Sequence, residues 1–232
     1  LYKYVGGYAN LKPKRKLKIN DKFCIASCSK SILCAAIASL IEKKQIPDIW
    51  NMTLDDVWSK NIHKDFKKVT VKQLASHSSG ISDLDSCPKK ARKIVNKLDG
   101  LDGMESRKLL ANIVLKQKPS YQSGKKWEYS NWGYGILGAI IEKLTKKEYS
   151  QVIDEEIMKP LNIDADYEYH HGDNYVNGHY SMTWDKEKRD VIIPMKKGQF
   201  VDLPYEDPAG IIYVSVLDSA KYCQSYLKTF KK

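Results

Sequence analysis

The stretch from Ile32 to Ile41 is the longest near-continuous apolar run in the chain, and it constrains the fold more than any other feature. Ile32, Leu33, Ala36, Ile37, Leu40 and Ile41 recur at helical spacing, so a helix over 29–44 must be buried on most of its faces. The run is about half as long as a bilayer span requires, so the chain is not expected to cross a membrane there. Other elements must cover this helix. With 232 residues, 42% hydrophobic, and 15 Tyr, 5 Trp and 4 Phe, the chain has the material for one globular domain and not the composition of a disordered one. No basic segment followed by an apolar one opens it. Residues 1–9 read directly as a strand, so any signal peptide would lie upstream.

Elsewhere the pattern is mostly helical. A basic loop follows over 10–22. Thr70 to His77 reads as a short helix closed by Ser78-Ser79-Gly80, and 104–117 as a helix with Leu109, Leu110, Ile113 and Val114 on one face. Helices are expected over 132–146 and 148–158, the second stopped by Pro160. From 164 to 208 the text is polar and irregular. Ile211 to Val214 then reads as a strand, and Ser215 with Asp218 as a capping box for a last helix to about Lys228. Helices lie between strands remote in sequence, with no alternation of strand and helix and no repeat, which predicts a single α+β domain over 1–232.

Several function classes are disfavoured by composition. The net charge is +11, but only Arg15, Arg92, Arg107 and Arg189 are arginines, and the lysines are dispersed. Phosphate and base recognition favours Arg forks and clustered grooves, so a nucleic-acid partner rests on net charge alone. The densest run, Lys12 to Lys18, is expected in a solvated hairpin loop. Cys24, Cys28, Cys34, Cys87 and Cys223 are odd in number and match no zinc spacing. They predict no disulfide framework, Cys24, Cys28 and Cys34 reading as small hydrophobes beside an apolar helix. Gly133, Gly135 and Gly138 match a dinucleotide fingerprint literally, but no buried strand precedes them, and close helix packing is the expected reason for them. His170, His171, His179 and Asp173 are expected in a loop without a metal role.

Ser-x-x-Lys occurs four times, at Ser27/Lys30, Ser86/Lys89, Ser123/Lys126 and Ser225/Lys228. Nucleophilic chemistry wants the Ser at a helix N-terminus, with the Lys one turn later on the same face. Only Ser27/Lys30 meets this, because it opens the apolar helix, whose surroundings would favour the neutral amine a base requires. Pro88, Gly124 and a helix end disqualify the others. The plainer alternative for Ser27 is an N-cap. A third polar group must pass protons to the leaving group, and Tyr-x-Asn occurs at Tyr8/Asn10, Tyr129/Asn131 and Tyr175/Asn177. Tyr129-Ser130-Asn131 is preferred, lying between a turn and the start of an apolar helix.

Taken together, four stretches resemble one family in order. Phe23-Cys-Ile-Ala-Ser27-Cys-Ser-Lys30 is similar to the active-serine helix of the class C β-lactamases, DD-peptidases and related penicillin-binding-protein-like serine hydrolases and esterases. Ile62 to Ile81 resembles that family's Thr-x-x-x-Leu-Leu-x-His-x-Ser-Gly-Leu helix and turn. Gly124-Lys-Lys-Trp-Glu-Tyr129-Ser-Asn131 resembles its Pro-Gly-x-x-Phe-x-Tyr-Ser-Asn segment, and Asp207-Pro208-Ala209-Gly210 with Ser215 its Pro-Ala-Gly element. The family's third motif, Lys-Thr-Gly or His-x-Gly, has no counterpart after Gly210. Lys196-Lys197-Gly198 precedes that element and is out of order. The usual N-terminal helix and first strand are also short, so the chain is expected to be the middle of a longer protein or a truncated relative.

The resemblance implies an antiparallel sheet with a helical subdomain, of which this chain holds mainly the helical part. It implies acyl transfer with Ser27 as nucleophile, Lys30 as base, Tyr129 as proton relay and Asn131 as the residue that binds the acyl side of the substrate. The Ser27 N–H would be one oxyanion donor. No metal or cofactor is required. The partner is a small molecule or peptide with a reactive carbonyl: a β-lactam, a D-Ala-D-Ala peptide or a small ester, with a general hydrolase or esterase favoured over a dedicated penicillinase. A non-catalytic scaffold is the alternative that the missing third motif supports. For compartment, family resemblance and the Asn51-Met52-Thr53 sequon point outwards, and the cysteines inwards.

Overall fold

In the computed structural model the described residues are 2–58, 61–83, 88–168, 173–181, 192–194 and 203–229. In chain order they form β1 (Tyr8–Leu11), β2 (Lys14–Lys16), β3 (Lys22–Cys24), a 3-10 turn at Ala26–Cys28, and α1 (Ser29–Glu42). Next come α2 (Leu54–Val57), α3 (Val71–Ala75), α4 (Pro88–Leu98), α5 (Gly103–Val114), α6 (Asn131–Thr145) and α7 (Tyr149–Ile153), which runs into a π-helical turn at Asp154–Met158. Then follow β4 (Ala165–Asp166), β5 (His179–Ser181), β6 (Ile192–Pro194), α8 (Asp207–Gly210), β7 (Tyr213–Ser215) and α9 (Val216–Thr229). They divide into two compact units. One comprises Leu1–Ile25, Met158–Asp202 and Ile212–Lys232, the other Ala26–Ile157 and Leu203–Ile211.

The first unit is built on short antiparallel ladders. The expected basic loop forms a hairpin, β1 pairing with β2 and Leu11 facing Lys14, followed by a short loop over 17–21 that leads to β3. Arg15 is the reason it holds its place: its guanidinium reaches the buried Asp21 carboxylate at 2.9 Å and the Tyr175 carbonyl at 2.6 Å. β7 lies between β3 and β4, all antiparallel, with Phe23 opposite Val214 and Ala165 opposite the same residue. Its three residues are buried. Lys22 fastens the sheet by donating to Asp164 and Asp166 at 2.8 and 2.7 Å. The anticipated cap of the last helix is present: Ser215 Oγ accepts the Asp218 N–H at 3.1 Å and donates to its carboxylate at 2.8 Å.

The second unit is helical. α1 buries Leu33, Ala36 and Ile37 completely and packs on α6, α7 and α8. α6 is buried along Trp132–Glu142 on every face, which a helix can be only at the centre of a core. The glycine pattern that mimics a dinucleotide fingerprint serves this packing. A Cβ on Gly135 would lie 2.2 Å from the Tyr205 carbonyl oxygen, and one on Gly138 2.6 Å from the Pro208 ring. Arg107 on α5 and Glu142 on α6 form a buried pair at 2.7 Å.

Not every expectation holds. The opening strand starts at Tyr8, not at residue 1. The helix expected over 148–158 changes to π geometry at Asp154. Cys24 and Cys28 are exposed and Cys34 half-buried, so the first two are not core hydrophobes; Cys87 lies outside the described residues. His170, His171 and Ser86 also lie outside them, and among the described residues no cluster of His, Cys, Asp and Glu could hold a metal. Among those residues no helix is long and apolar enough to cross a membrane.

Candidate active site

Ser27 lies in the 3-10 turn that leads into α1, and the N-cap of α1 is Cys28, which makes no side-chain cap. The plain N-cap explanation for Ser27 therefore fails. Ahead of it, Ala26 has φ 46°, a left-handed conformation that costs a residue with a Cβ about 1–2 kcal/mol. Gly210 abuts this turn, so close that a Cβ there would be 3.3 Å from the Ala26 carbonyl carbon.

The helical period brings Lys30 back over Ser27 one turn later. The lysine is 6% exposed, and three acceptors surround its Nζ: Ser27 Oγ at 3.2 Å, Asn131 Oδ1 at 2.9 Å and the Ala209 carbonyl at 2.7 Å. Two aromatic faces complete its surroundings, Tyr129 at 4.8 Å and Tyr134 at 5.4 Å from the ring centroids. From the other side, Tyr129 donates its hydroxyl to Ser27 Oγ at 2.6 Å. Thus Ser27, Lys30, Tyr129 and Asn131 converge. Of the other Ser-x-x-Lys serines described, Ser123 donates to the Ser78 carbonyl and Ser225 lies on α9. Tyr8 and Asn10 lie on β1, and the Tyr175 hydroxyl is bonded to Asp166.

Two residues that carry no assigned role in the sequence reading hold the Tyr129–Asn131 segment. Asp83 accepts the Ser130 hydroxyl at 2.8 Å and the backbone N–H groups of Asn131 and Trp132 at 2.8 and 2.9 Å. Ser130 is the N-cap of α6, its Oγ accepting the Gly133 N–H at 2.9 Å. A carboxylate over a helix N-terminus gains from both the free N–H groups and the helix dipole. Asp83→Ala is expected to lower stability by about 1–3 kcal/mol, read as a lower urea midpoint. An unchanged midpoint would show the carboxylate to be idle.

His77 is the second. It sits at φ 58°, and its Nδ1 accepts the Ser130 N–H at 3.2 Å. Its ring lies 4.6 Å from Tyr129, 5.3 Å from Tyr134 and 5.8 Å from Trp127 between centroids. Burial pushes its pKa below the usual value, Lys30 acts in the same direction, and Asp83 opposes them. Burial likewise raises the Tyr134 phenol and the Cys34 thiol, so both stay protonated behind the site. Of Asp83 the sequence carries only a carboxylate shortly after the His-Ser-Ser-Gly turn, which has no spacing rule to announce it.

Chemically, a hydroxyl flanked at hydrogen-bond distance by an amine and a phenol can be deprotonated on attack, and the proton can be returned to a departing group. Comparisons with known proteins point to one family. A family model described as Beta-lactamase matches residues 1–231. Protein flp of Staphylococcus aureus strain N315 is 31% identical over 193 residues, covering 80% of this chain and 33% of its own length. Penicillin-binding protein 4* of Bacillus subtilis strain 168 is 28% identical over 203 residues, covering 84% of this chain and 42% of its own. The structure of the octameric penicillin-binding protein homologue from Pyrococcus abyssi superposes with a TM-score of 0.70 at 27% identity, over 96% of this chain and 48% of that one. The chain thus spans less than half the length of these relatives.

Proposed function

The chain belongs to the beta-lactamase family, and from that premise we propose that it is a serine hydrolase working through an acyl-enzyme on an amide, β-lactam or ester carbonyl. Its fold is the family's α+β arrangement of antiparallel sheet and helical subdomain, and the chain covers mainly the helical part. The observation that carries the proposal is the convergence of Lys30 Nζ and Tyr129 Oη on Ser27 Oγ.

Lys30 acts here as the neutral amine: Ser27 Oγ forms the bond to the carbonyl carbon while its proton passes to the lone pair of Lys30 Nζ, which becomes the ammonium that later returns it. The Ser27 N–H, at the start of a helix, donates to the developing oxyanion. The carbonyl bond to the leaving nitrogen or oxygen then breaks, and a proton reaches that atom through the Tyr129 hydroxyl. Water repeats the sequence on the serine ester. Asn131 divides its amide between two tasks: Oδ1 is engaged by Lys30, which leaves Nδ2 to donate to the acyl side of the substrate. β-Lactams, D-Ala-D-Ala peptides and small esters share the carbonyl this machinery needs.

Intact-mass spectrometry after incubation with a fluorophosphonate or a penicillin tests the reading. One adduct is expected on the wild type and none on Ser27→Ala. No adduct on a wild-type chain shown to be folded by circular dichroism would sink it in favour of a scaffold, and an adduct on both would move the nucleophile elsewhere.

A further inference from the structure

Resting on that reading, we infer that His77 is the positioning residue for the proton relay: neutral His77 holds Tyr129 and Asn131 in register with Ser27, and protonation at Nδ1 releases them. The geometry gives one side chain two grips on a single short segment. Its Nδ1 accepts the N–H of Ser130, the residue between Tyr129 and Asn131, and its ring stacks against Tyr129 at 31° between planes. Its backbone grips the same strand of chain, since the His77 carbonyl accepts the Glu128 N–H at 2.9 Å. The left-handed φ of 58° costs a residue with a side chain about 1–2 kcal/mol, and it aims the ring at this segment.

An acceptor at Nδ1 exists only in the neutral imidazole. Protonation would set Nδ1–H against the Ser130 N–H, two donors facing each other at 3.2 Å, and would add a cation near Lys30. The groups facing His77 are Lys30 from α1, Asp83 from the turn after α3, Trp127, Glu128 and Tyr129 from the loop before α6, Tyr134 from α6, and Tyr121, whose hydroxyl donates to the His77 carbonyl at 3.5 Å. Among the described residues, Asp83 stabilises the imidazolium, and burial and Lys30 outweigh it. The sign follows. The folded value lies below the unfolded 6.5, so the contribution of neutral His77 is complete above 6.5 and is lost as pH falls through the lower folded value.

The test compares wild type, His77→Asn and His77→Ala in acylation rate against pH, with the probe that labels Ser27. Asn tolerates left-handed backbone and presents Oδ1 as the acceptor, but does not titrate. Wild type is expected to lose rate on an acid limb with its midpoint below 6.5. His77→Asn is expected to lack that limb and to stay within about tenfold of the wild-type plateau, and His77→Ala to fall roughly 100-fold, the loss that small misplacements cause. A limb unchanged in His77→Asn overturns the inference and assigns it to another group. The resting protein supplies a readout independent of turnover: the Ser130 amide resonance should titrate together with His77. If wild type acylates at no pH, the hydrolase reading falls, and the Ser130 resonance alone decides. Co-titration supports the positioning role and a Ser130 amide indifferent to His77 overturns it.

Discussion

Lys30→Met is expected to slow acylation by roughly 10³- to 10⁴-fold, the upper part of what a positioned base contributes, while the protein remains folded. Met preserves the length and burial of the side chain but removes the donor that meets Ser27 Oγ, Asn131 Oδ1 and the Ala209 carbonyl. Stability also suffers, because the buried Ala209 carbonyl and the half-buried Asn131 Oδ1 lose a partner, at about 1–3 kcal/mol for the buried one before any water enters. The chemical effect is the larger one and is read from burst kinetics on an activated ester. Lys30→Arg separates the two roles Lys30 could have. A guanidinium puts a permanent positive charge between the Tyr129 and Tyr134 rings and cannot accept a proton, so it should be as inactive as Met if Lys30 is the base. Activity within tenfold of wild type in either variant would leave Lys30 as a structural cation.

Arg107→Met is the change with the largest expected effect on stability, a loss of about 3–5 kcal/mol. Arg107 is 1% exposed and Glu142 4%. Two guanidinium nitrogens donate to the same Glu142 oxygen at 3.0 and 2.7 Å, and a third to the Pro204 carbonyl at 2.6 Å. Without Arg107, the Glu142 carboxylate stays in the core with, among the described residues, the Tyr149 N–H at 3.2 Å as its remaining hydrogen-bond donor. For a chain of this size the loss is worth roughly 10 °C in Tm. The double variant Arg107→Met with Glu142→Met should recover most of it, because a buried ion pair is frequently no better than apolar groups of the same volume. A single variant within 1 kcal/mol of wild type, measured by urea unfolding, would mean that water reaches the pair. Pro204 and Asp207, the latter 3.8 Å from the guanidinium, lie just ahead of Ala209, so the pair also steadies the carbonyl that Lys30 uses.

How much of this was legible in the residues differs from place to place for physical reasons. Ser27 and Lys30 could be read because helical periodicity fixes the meeting of positions three apart, and the apolar run states that a helix is there. Tyr129 and Asn131 could be read because a turn followed by an apolar helix marks a helix start. Asp83 could not, since its three acceptor contacts are set by where the loop after Gly80 lands, which is tertiary. α4 was missed although its signal was present. Ala91, Ile94, Val95 and Leu98 follow helical spacing and Ile94 and Leu98 are buried, but the surrounding Lys and Arg residues mask the stripe. The strand expected from the first residue fails because Gly6 and Gly7 interrupt the apolar pattern, Gly7 at φ 92°. Fold class follows from the order of elements, which is why it survives these local misreadings.

The three acceptors of Lys30 have a consequence for folding. Ser27 is in the same turn, but Asn131 lies 101 positions away and Ala209 179. Helices such as α1 and α6 can form from bonds between near neighbours, whereas these pairings require long loops to close first, which makes them late and slow contacts. On the proposed hydrolase reading, the site is therefore a coincidence detector for the helical unit: a proton path through Lys30 would be continuous only after the segments around Ser27, Asn131 and Ala209 have been brought together, and a partly folded chain would not be a partly active one.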